Sequence, residues 1–85
     1  MTEIEIFSLE NCPNCKRLSM MLDQAGIPYA YLNIETSNDA LAEAAFRGIL
    51  DSQFPVVYID GQRLPAMTPV DYFKKIKIIL DGGVL

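Results

Sequence analysis

The two cysteines of this chain, Cys12 and Cys15, stand three positions apart, and its 85 residues include no histidine. A tetrahedral zinc site needs four cysteine or histidine ligands, so one chain supplies at most half of such a site. A structural disulfide across so short a loop would remove only about 2 kcal/mol of unfolded-state entropy. The spacing therefore predicts a redox pair and no metal site, with metal clustering and incidental spacing as the remaining alternatives.

Length and charge restrict the classes of partner. The chain is long enough for one domain over residues 1–85, and its net charge of -4 is the wrong sign for neutralising phosphates, so we expect no nucleic-acid partner. No stretch approaches the roughly 18 apolar residues of a membrane span, and Met1 to Phe7 carries no basic leader region. We therefore expect no membrane association, a cytoplasmic location and a monomer.

Hydrophobic periodicity predicts the element order β-α-β-α-β-β-α. Short alternating or β-branched runs mark strands at Glu3–Phe7, Tyr29–Ile34, Pro55–Ile59 and about Gln62–Leu64. Because a helix crosses between the first two strands, they should be parallel. Asp60-Gly61 suits the tight hairpin turn that joins the last two strands.

Three helices are predicted from apolar spacings of three and four together with capping residues. The first starts after Cys12 and stops at Gly26, the second is capped by Ser37 or Asn38 and stops at Gly48, and the third starts at Thr68-Pro69 and ends at Asp81-Gly82-Gly83. Packing on the sheet is expected for Ala40, Leu41, Ala44 and Ala45 of the second helix and for Val70, Phe73, Ile76 and Leu80 of the third. The last helix should keep Lys74, Lys75 and Lys77 in solvent.

The cysteine motif and two later motifs carry a family resemblance. Cys12-Pro13-Asn14-Cys15-Lys16-Arg17 is similar to the Cys-Pro-Tyr-Cys-Lys/Arg site of dithiol glutaredoxins, and Phe54-Pro55-Val56-Val57 and Ile59-Asp60-Gly61 follow at the expected distance. With the element order, the chain resembles a glutaredoxin over nearly its whole length. The resemblance implies an α/β thioredoxin fold of the glutaredoxin type: a four-stranded mixed sheet in order 2-1-3-4, with only the last strand pair antiparallel, flanked by three helices.

The position of Cys12 at a helix start favours its thiolate, because unpaired backbone N–H groups and the positive end of the helix dipole lie there. Cys15 and the cations of Lys16 or Arg17 would add to this effect, and Pro13 pre-organises the first turn. We predict that Cys12 attacks a substrate disulfide and that Cys15 resolves the mixed disulfide. The predicted activity is reduction of protein or glutathione mixed disulfides, with no bound cofactor and glutathione as one candidate reductant.

In the thioredoxin fold the proline equivalent to Pro55 is cis and lies against the cysteine motif, so the resemblance predicts the same here. The backbone of Phe54 would then pair with an extended substrate. Predicted substrate contacts are Gln53, Phe54, Pro55 and Thr68, and Asp71 and Arg47 are further candidate polar contacts for glutathione. An apolar rim of Leu9, Phe54, Pro65, Ala66 and Met67 is a candidate docking surface for a protein substrate.

The sequence departs from glutaredoxins where they bind glutathione. Leu9 stands in place of a common lysine, and Pro65-Ala66-Met67-Thr68 replaces the usual Gly-Gly and acid. The Gln-x-Pro-Val-Val run instead resembles the redoxins that serve ribonucleotide reductase, so thioredoxin reductase is an alternative electron source. An iron-sulfur carrier using Cys12 across a dimer and a non-catalytic interaction module are two further alternatives.

Overall fold

The computed structural model describes residues 2–82, and within them the chain forms the predicted order of elements. The strands are β1 (Ile4–Ser8), β2 (Ala30–Asn33), β3 (Val56–Ile59) and β4 (Gln62–Arg63), and the helices are α1 (Pro13–Gln24), α2 (Asn38–Phe46) and α3 (Pro69–Leu80). No helix among these residues is both long and apolar enough to cross a membrane. α3 ends at Leu80 with Asp81 as its C-cap, as predicted from Asp81-Gly82-Gly83, of which Gly83 lies outside the described residues.

The four strands form a mixed sheet in the order β2-β1-β3-β4, as predicted. β1 is parallel to β2, but it is antiparallel to β3, so the prediction that only the last strand pair is antiparallel was wrong. The cause is the connection after α2. A nine-residue helix spans only about 13 Å, and residues 47–55 then bring the chain back to the end of the sheet where β1 and β2 finish. β3 therefore starts beside the end of β1, with Val56 paired to Phe7.

Both faces of the sheet are covered, and successive residues of β1 point to opposite faces. The larger cluster, under α1 and α3, contains Ile4, Ile6, Leu18, Leu22, Val57, Ile59, Leu64, Tyr72 and Ile76. The smaller cluster, under α2, contains Phe7, Ala44, Ile49, Val56 and Tyr58. This two-layer burial leaves one open end of the sheet, where β1 ends and α1 begins, and the cysteines lie there.

Two predictions of helix orientation were partly wrong. In α3, Ile76 is buried as expected and Phe73 packs against the core, but Val70 and Leu80 are 46% and 37% exposed. The buried stripe runs instead through Pro69, Tyr72 and Ile76, because the Tyr72 hydroxyl is hydrogen-bonded inside the protein. In the short α2 only the side of Ala40 and Ala44 is buried, so Leu41 and Ala45 remain exposed.

Candidate active site

Cys12 occupies the N-cap of α1, with an extended backbone (φ -123°, ψ 96°) and Pro13 as the first helical residue. The backbone N–H of Cys15 donates to the Cys12 sulfur at 3.2 Å, and the N–H of Lys16 donates to the Cys12 carbonyl at 3.1 Å. A cysteine sulfur therefore takes the place that a serine or aspartate oxygen usually fills at a helix start. The local sequence builds this arrangement, since proline at the first position fixes φ for the turn.

Cys12 and Cys15 form a disulfide, with a Cα–Cα distance of 5.2 Å that lies within the usual range. The two cysteines differ in access to solvent. Cys15 is 0% exposed, whereas Cys12 retains 7% exposure. A molecule that approaches the open end of the sheet therefore meets the Cys12 sulfur first.

The segment before β3 lies against the cysteines. The Phe54–Pro55 peptide bond is cis, as predicted, and the Phe54 carbonyl oxygen lies 3.8 Å from the Cys12 sulfur. Pro55 is buried and Phe54 is partly buried. The fold thus joins two motifs that are about forty residues apart in the chain, and it places a backbone edge beside the more accessible sulfur.

Tyr72 supports this segment from α3, which the sequence interpretation missed. Its hydroxyl donates to the Pro55 carbonyl at 3.1 Å, and the residue is 5% exposed. Burial raises the pKa of the Tyr72 phenol, and the nearby Arg63 opposes that shift. The available signal was the second apolar stripe of α3, in which Pro69, Tyr72 and Ile76 share a face.

The other predicted site residues lie around this centre. Lys16 and Arg17 are exposed in the first turns of α1, and neither forms an ion pair within residues 2–82. Gln53 is exposed in the loop before Phe54. Thr68 caps α3, where its hydroxyl oxygen accepts the backbone N–H of Asp71 at 3.1 Å.

Arg47, a candidate glutathione contact, is engaged elsewhere. Its guanidinium donates to both carboxylate oxygens of Glu5 at 3.0 and 3.3 Å and to Glu43 at 2.8 Å. It also lies 4.4 Å from the ring centre of Tyr58 and 5.1 Å from that of Phe7. Hydrogen bonding to Glu5 raises the pKa of Arg47 above its usual value. Its charge is therefore paired on the α2 side of the sheet.

The loop that precedes Cys12 is tied to the loop after β2. The N–H of Glu10 donates to the Glu35 carboxylate at 2.7 Å, the Asn33 amide donates to the Glu10 carboxylate at 3.1 Å, and the N–H of Glu35 donates to the Asn33 side-chain oxygen at 2.9 Å. The bond from Asn33 holds the Glu10 carboxylate at β2, and the other two bonds fix the Glu10 backbone and Glu35 beside it. Within residues 2–82, no group of three or more histidine, cysteine, aspartate or glutamate side chains could hold a metal ion.

Comparison with known proteins agrees with this geometry. The Glutaredoxin family model matches residues 4–64, and glutaredoxin 3 of Escherichia coli K12 is 30% identical over 64 residues, which is 75% of this chain and 76% of that protein. Glutaredoxin 1 of Francisella tularensis, complexed with cacodylate, superposes with a TM-score of 0.67 at 14% identity, over 95% of this chain and 99% of the other.

A buckwheat glutaredoxin in complex with glutathione superposes with a TM-score of 0.62 at 22% identity, over 95% of this chain and 71% of the other. These structural similarities support the thioredoxin-like fold. The sequence matches also establish the family. The family model spans most of the chain, and the cysteine pair that carries the family's redox chemistry is joined at the start of α1. The chain therefore belongs to the glutaredoxin family and is a thiol-disulfide oxidoreductase.

Proposed function

We propose that this protein reduces protein disulfides by a dithiol cycle in which Cys12 is the nucleophile and Cys15 the resolving thiol. One observation carries the proposal: the Cys12 sulfur lies at the start of α1, 3.8 Å from the Phe54 carbonyl, with Cys15 fully buried behind it. An accessible sulfur beside a backbone edge is suited to attack an extended substrate. A buried sulfur one turn on is suited to finish the reaction inside the protein.

In the first step the Cys12 thiolate attacks one sulfur of the substrate disulfide. A mixed disulfide forms, the substrate's S–S bond breaks, and the departing thiolate takes a proton from solvent. Cys15 then loses its proton and attacks the Cys12 sulfur, which releases the second substrate thiolate. Two electrons have passed to the substrate, and the protein is left with the Cys12–Cys15 disulfide.

The assignment of Cys12 as nucleophile rests on its exposure and on the charge around its sulfur. The Cys15 N–H at 3.2 Å donates toward that sulfur, and the α1 dipole places partial positive charge there. Lys16 and Arg17 add two cations in the same turns of the helix. Pro13 holds the turn that keeps the two sulfurs together. Cys15 has no comparable access to a second protein.

The substrate class follows from what surrounds Cys12. We expect the backbone of Phe54, with Gln53 and Pro55 beside it, to pair with an extended polypeptide, and Thr68 to flank that edge at the start of α3. Glutathione would meet few charged partners, because Leu9 stands in place of a lysine and Pro65-Ala66 replaces two glycines. A protein disulfide depends less on such contacts, since its backbone supplies hydrogen bonds of its own.

The oxidised protein must be returned to its dithiol by an external thiol donor. Glutathione and a thioredoxin reductase are the two candidate electron sources, and both fit a reducing, cytoplasmic setting. Because few residues are placed to contact glutathione, we favour thioredoxin reductase as the electron source. No bound cofactor is needed, because every electron moves between sulfur atoms.

The test is a disulfide-reduction assay run in parallel with two electron sources, NADPH with glutathione and glutathione reductase, and NADPH with thioredoxin reductase. Insulin serves as the protein disulfide and a glutathione-mixed disulfide as the small substrate. We expect reduction of insulin by the wild type, no turnover by Cys12→Ser, and a trapped mixed disulfide with Cys15→Ser, seen as the added mass of the substrate.

Each result bears on a different part of the proposal. Loss of insulin reduction in both variants supports the dithiol cycle. If Cys15→Ser keeps most of its activity on the glutathione-mixed disulfide, the protein runs a monothiol cycle and glutathione is its natural reductant. A fully active Cys12→Ser variant would overturn the assignment of the nucleophile.

A further inference from the structure

The connection between β4 and α3 borders a cavity of about 440 Å³ that is open to solvent. Its lining is mainly apolar and consists of Arg63, Leu64, Pro65, Ala66, Met67 and Tyr72. The Met67 side chain is 84% exposed beside it and extends the apolar surface at the mouth of the cavity. Pro65, Ala66 and Met67 belong to the apolar rim predicted from the sequence, but the chemical steps of the dithiol cycle assign no role to the cavity.

The cavity is joined to the active site through one of its walls. Tyr72 lines the cavity, and its hydroxyl donates to the Pro55 carbonyl at 3.1 Å. Pro55 directly follows Phe54, whose carbonyl lies 3.8 Å from the Cys12 sulfur. Tyr72 thus links one wall of the cavity to Pro55, the direct neighbour of the backbone edge along which a substrate would pair. A polypeptide bound at that edge can reach the cavity with a side chain near its disulfide.

The walls of the cavity are held by hydrogen bonds from neighbouring elements. The Leu64 N–H donates to the Val57 carbonyl at 2.8 Å, and Lys75 of α3 donates to the Pro65 carbonyl while pairing with Asp71 at 3.5 Å. These contacts anchor the N-terminal part of the apolar segment, at Leu64 and Pro65. A cavity formed in advance costs little ordering entropy when it is filled.

The chemistry of the lining identifies the occupant. The aliphatic groups of Leu64, Ala66 and Met67 favour an apolar side chain over a charged one. At the rim, Arg63 donates to the Ser52 hydroxyl at 3.2 Å and forms no ion pair within residues 2–82. An unpaired cation there favours a carboxylate close to the apolar group. The apolar lining and the Arg63 cation together fit a short segment of a partner protein in which an apolar residue stands next to an acidic one.

We infer that this cavity is a specificity subsite, which receives an apolar side chain next to an acidic residue in the protein whose disulfide is reduced. The inference rests on the proposed function and deepens it, because it identifies the partner by the sequence beside its disulfide. The same site gives no advantage to a polar or basic sequence.

The test compares two peptides, each closed by one disulfide and identical except for the residues beside it. One peptide carries Leu-Glu on each side of the disulfide, and the other carries Ser-Lys. We expect kcat/KM for the Leu-Glu peptide to be about tenfold higher, since burying roughly one methylene group provides about fourfold and the charge of Arg63 about threefold. The ratio of the two kcat/KM values is compared between variants, because a general loss of activity lowers both values equally and cancels.

Three variants locate the effect. Met67→Gln, at an exposed position that tolerates the change, and Ala66→Trp, which fills the cavity, should both lower the ratio to about threefold, the part that the charge of Arg63 provides. Arg63→Gln should lower the wild-type ratio by about threefold through loss of the acidic preference alone. Met20→Gln is the matched control, because Met20 is an exposed methionine of α1, outside the cavity lining, and should retain the wild-type ratio.

The outcomes separate the subsite from the function on which it rests. Rapid reduction of both peptides at equal kcat/KM overturns the subsite and leaves the dithiol cycle in place. An equal fall in the ratio with Met20→Gln also overturns the subsite. If the wild type reduces neither peptide, the proposed function fails and the inference falls with it.

Discussion

The two segments that build this site are held in different ways. The turn that carries the cysteines is held by its own bonds, from the Cys15 N–H to the Cys12 sulfur and from the Lys16 N–H to the Cys12 carbonyl. Residues 63–67 are held mainly from outside the segment, by Ser52, Val57 and Lys75, which lie 11, 7 and 10 positions from their partners. One segment is stabilised by bonds within itself and the other by bonds to neighbouring elements.

The two segments differ in role as well, because one carries out the thiol-disulfide reaction and the other bears on the choice of substrate. A thiolate needs only a helix start and nearby donors, which a few adjacent residues supply. Choosing among disulfides needs a surface shaped by several elements, and in the inference above that surface is the apolar cavity beside residues 63–67. Under the proposed function, the cysteine turn carries out thiol-disulfide exchange and residues 63–67 set the preferred substrate.

The strongest test of this comparison changes the second segment and leaves the first intact. A Leu9→Lys, Pro65→Gly, Ala66→Gly variant restores the lysine and the glycine pair of glutathione-dependent relatives. We expect kcat/KM on a glutathione-mixed disulfide to rise by at least about tenfold, because each recovered hydrogen bond to a charged group is worth about 1.5 to 3 kcal/mol. Steady-state assays coupled to glutathione reductase measure the change.

The matched control for the added charge is Met20→Lys, which adds one lysine to α1 and leaves residues 63–67 unchanged. Its activity on the glutathione-mixed disulfide should stay close to that of the wild type. A triple variant no faster than this control would show that residues 9, 65 and 66 do not limit the use of glutathione. The claim that residues 63–67 determine the choice of substrate would then be wrong.

A smaller effect is expected at the bond that links α3 to the active site. Tyr72→Phe removes only the hydroxyl that donates to the Pro55 carbonyl and leaves that buried oxygen without its donor. The free energy of unfolding should fall by about 1 to 2 kcal/mol. Tyr29→Phe is the control, since the Tyr29 hydroxyl bonds to Asp23 at an exposed position, where water can replace it. Urea unfolding of both variants, followed by circular dichroism, measures the difference, and equal losses would contradict the prediction.

The smallest expected effect concerns alkaline pH. Burial raises the pKa of Tyr72 above its usual value of 10.0, so the folded state keeps this proton to higher pH than the unfolded state does. The contribution to stability is complete below about pH 10 and is lost as pH rises through the folded pKa. Oxidised protein is used so that the cysteines do not titrate.

Urea midpoints measured across this alkaline range should fall less steeply in Tyr72→Phe than in the wild type. Some slope should remain in the variant, because burial and the hydrogen bond to Asp23 also raise the pKa of Tyr29. Identical slopes in the two proteins would mean that Tyr72 does not contribute to the alkaline loss of stability. The role of α3 in supporting the active site would then rest on packing alone.

Much of the fold was predictable because its signals are local. Pro13 and Pro69 at helix starts, Thr68 as a cap and Asp60-Gly61 in the hairpin each act within a few residues. The element order followed from these signals, and the strand order followed from the family resemblance. The direction of β3 did not follow, since it depends on where residues 47–55 return to the sheet, and no short pattern encodes that path.

The sequence by itself determined the chemistry of this protein, because two cysteines at a proline-led helix start can be recognised without knowing what packs on them. Only the tertiary structure decided what surrounds that chemistry. The Tyr72 bond to Pro55 and the pairing of Arg47 with Glu5 join residues 17 and 42 positions apart, and the apolar cavity lies where residues 63–67 meet the first turn of α3. Such contacts form only when the sheet and helices assemble, since each depends on the position of a separate element.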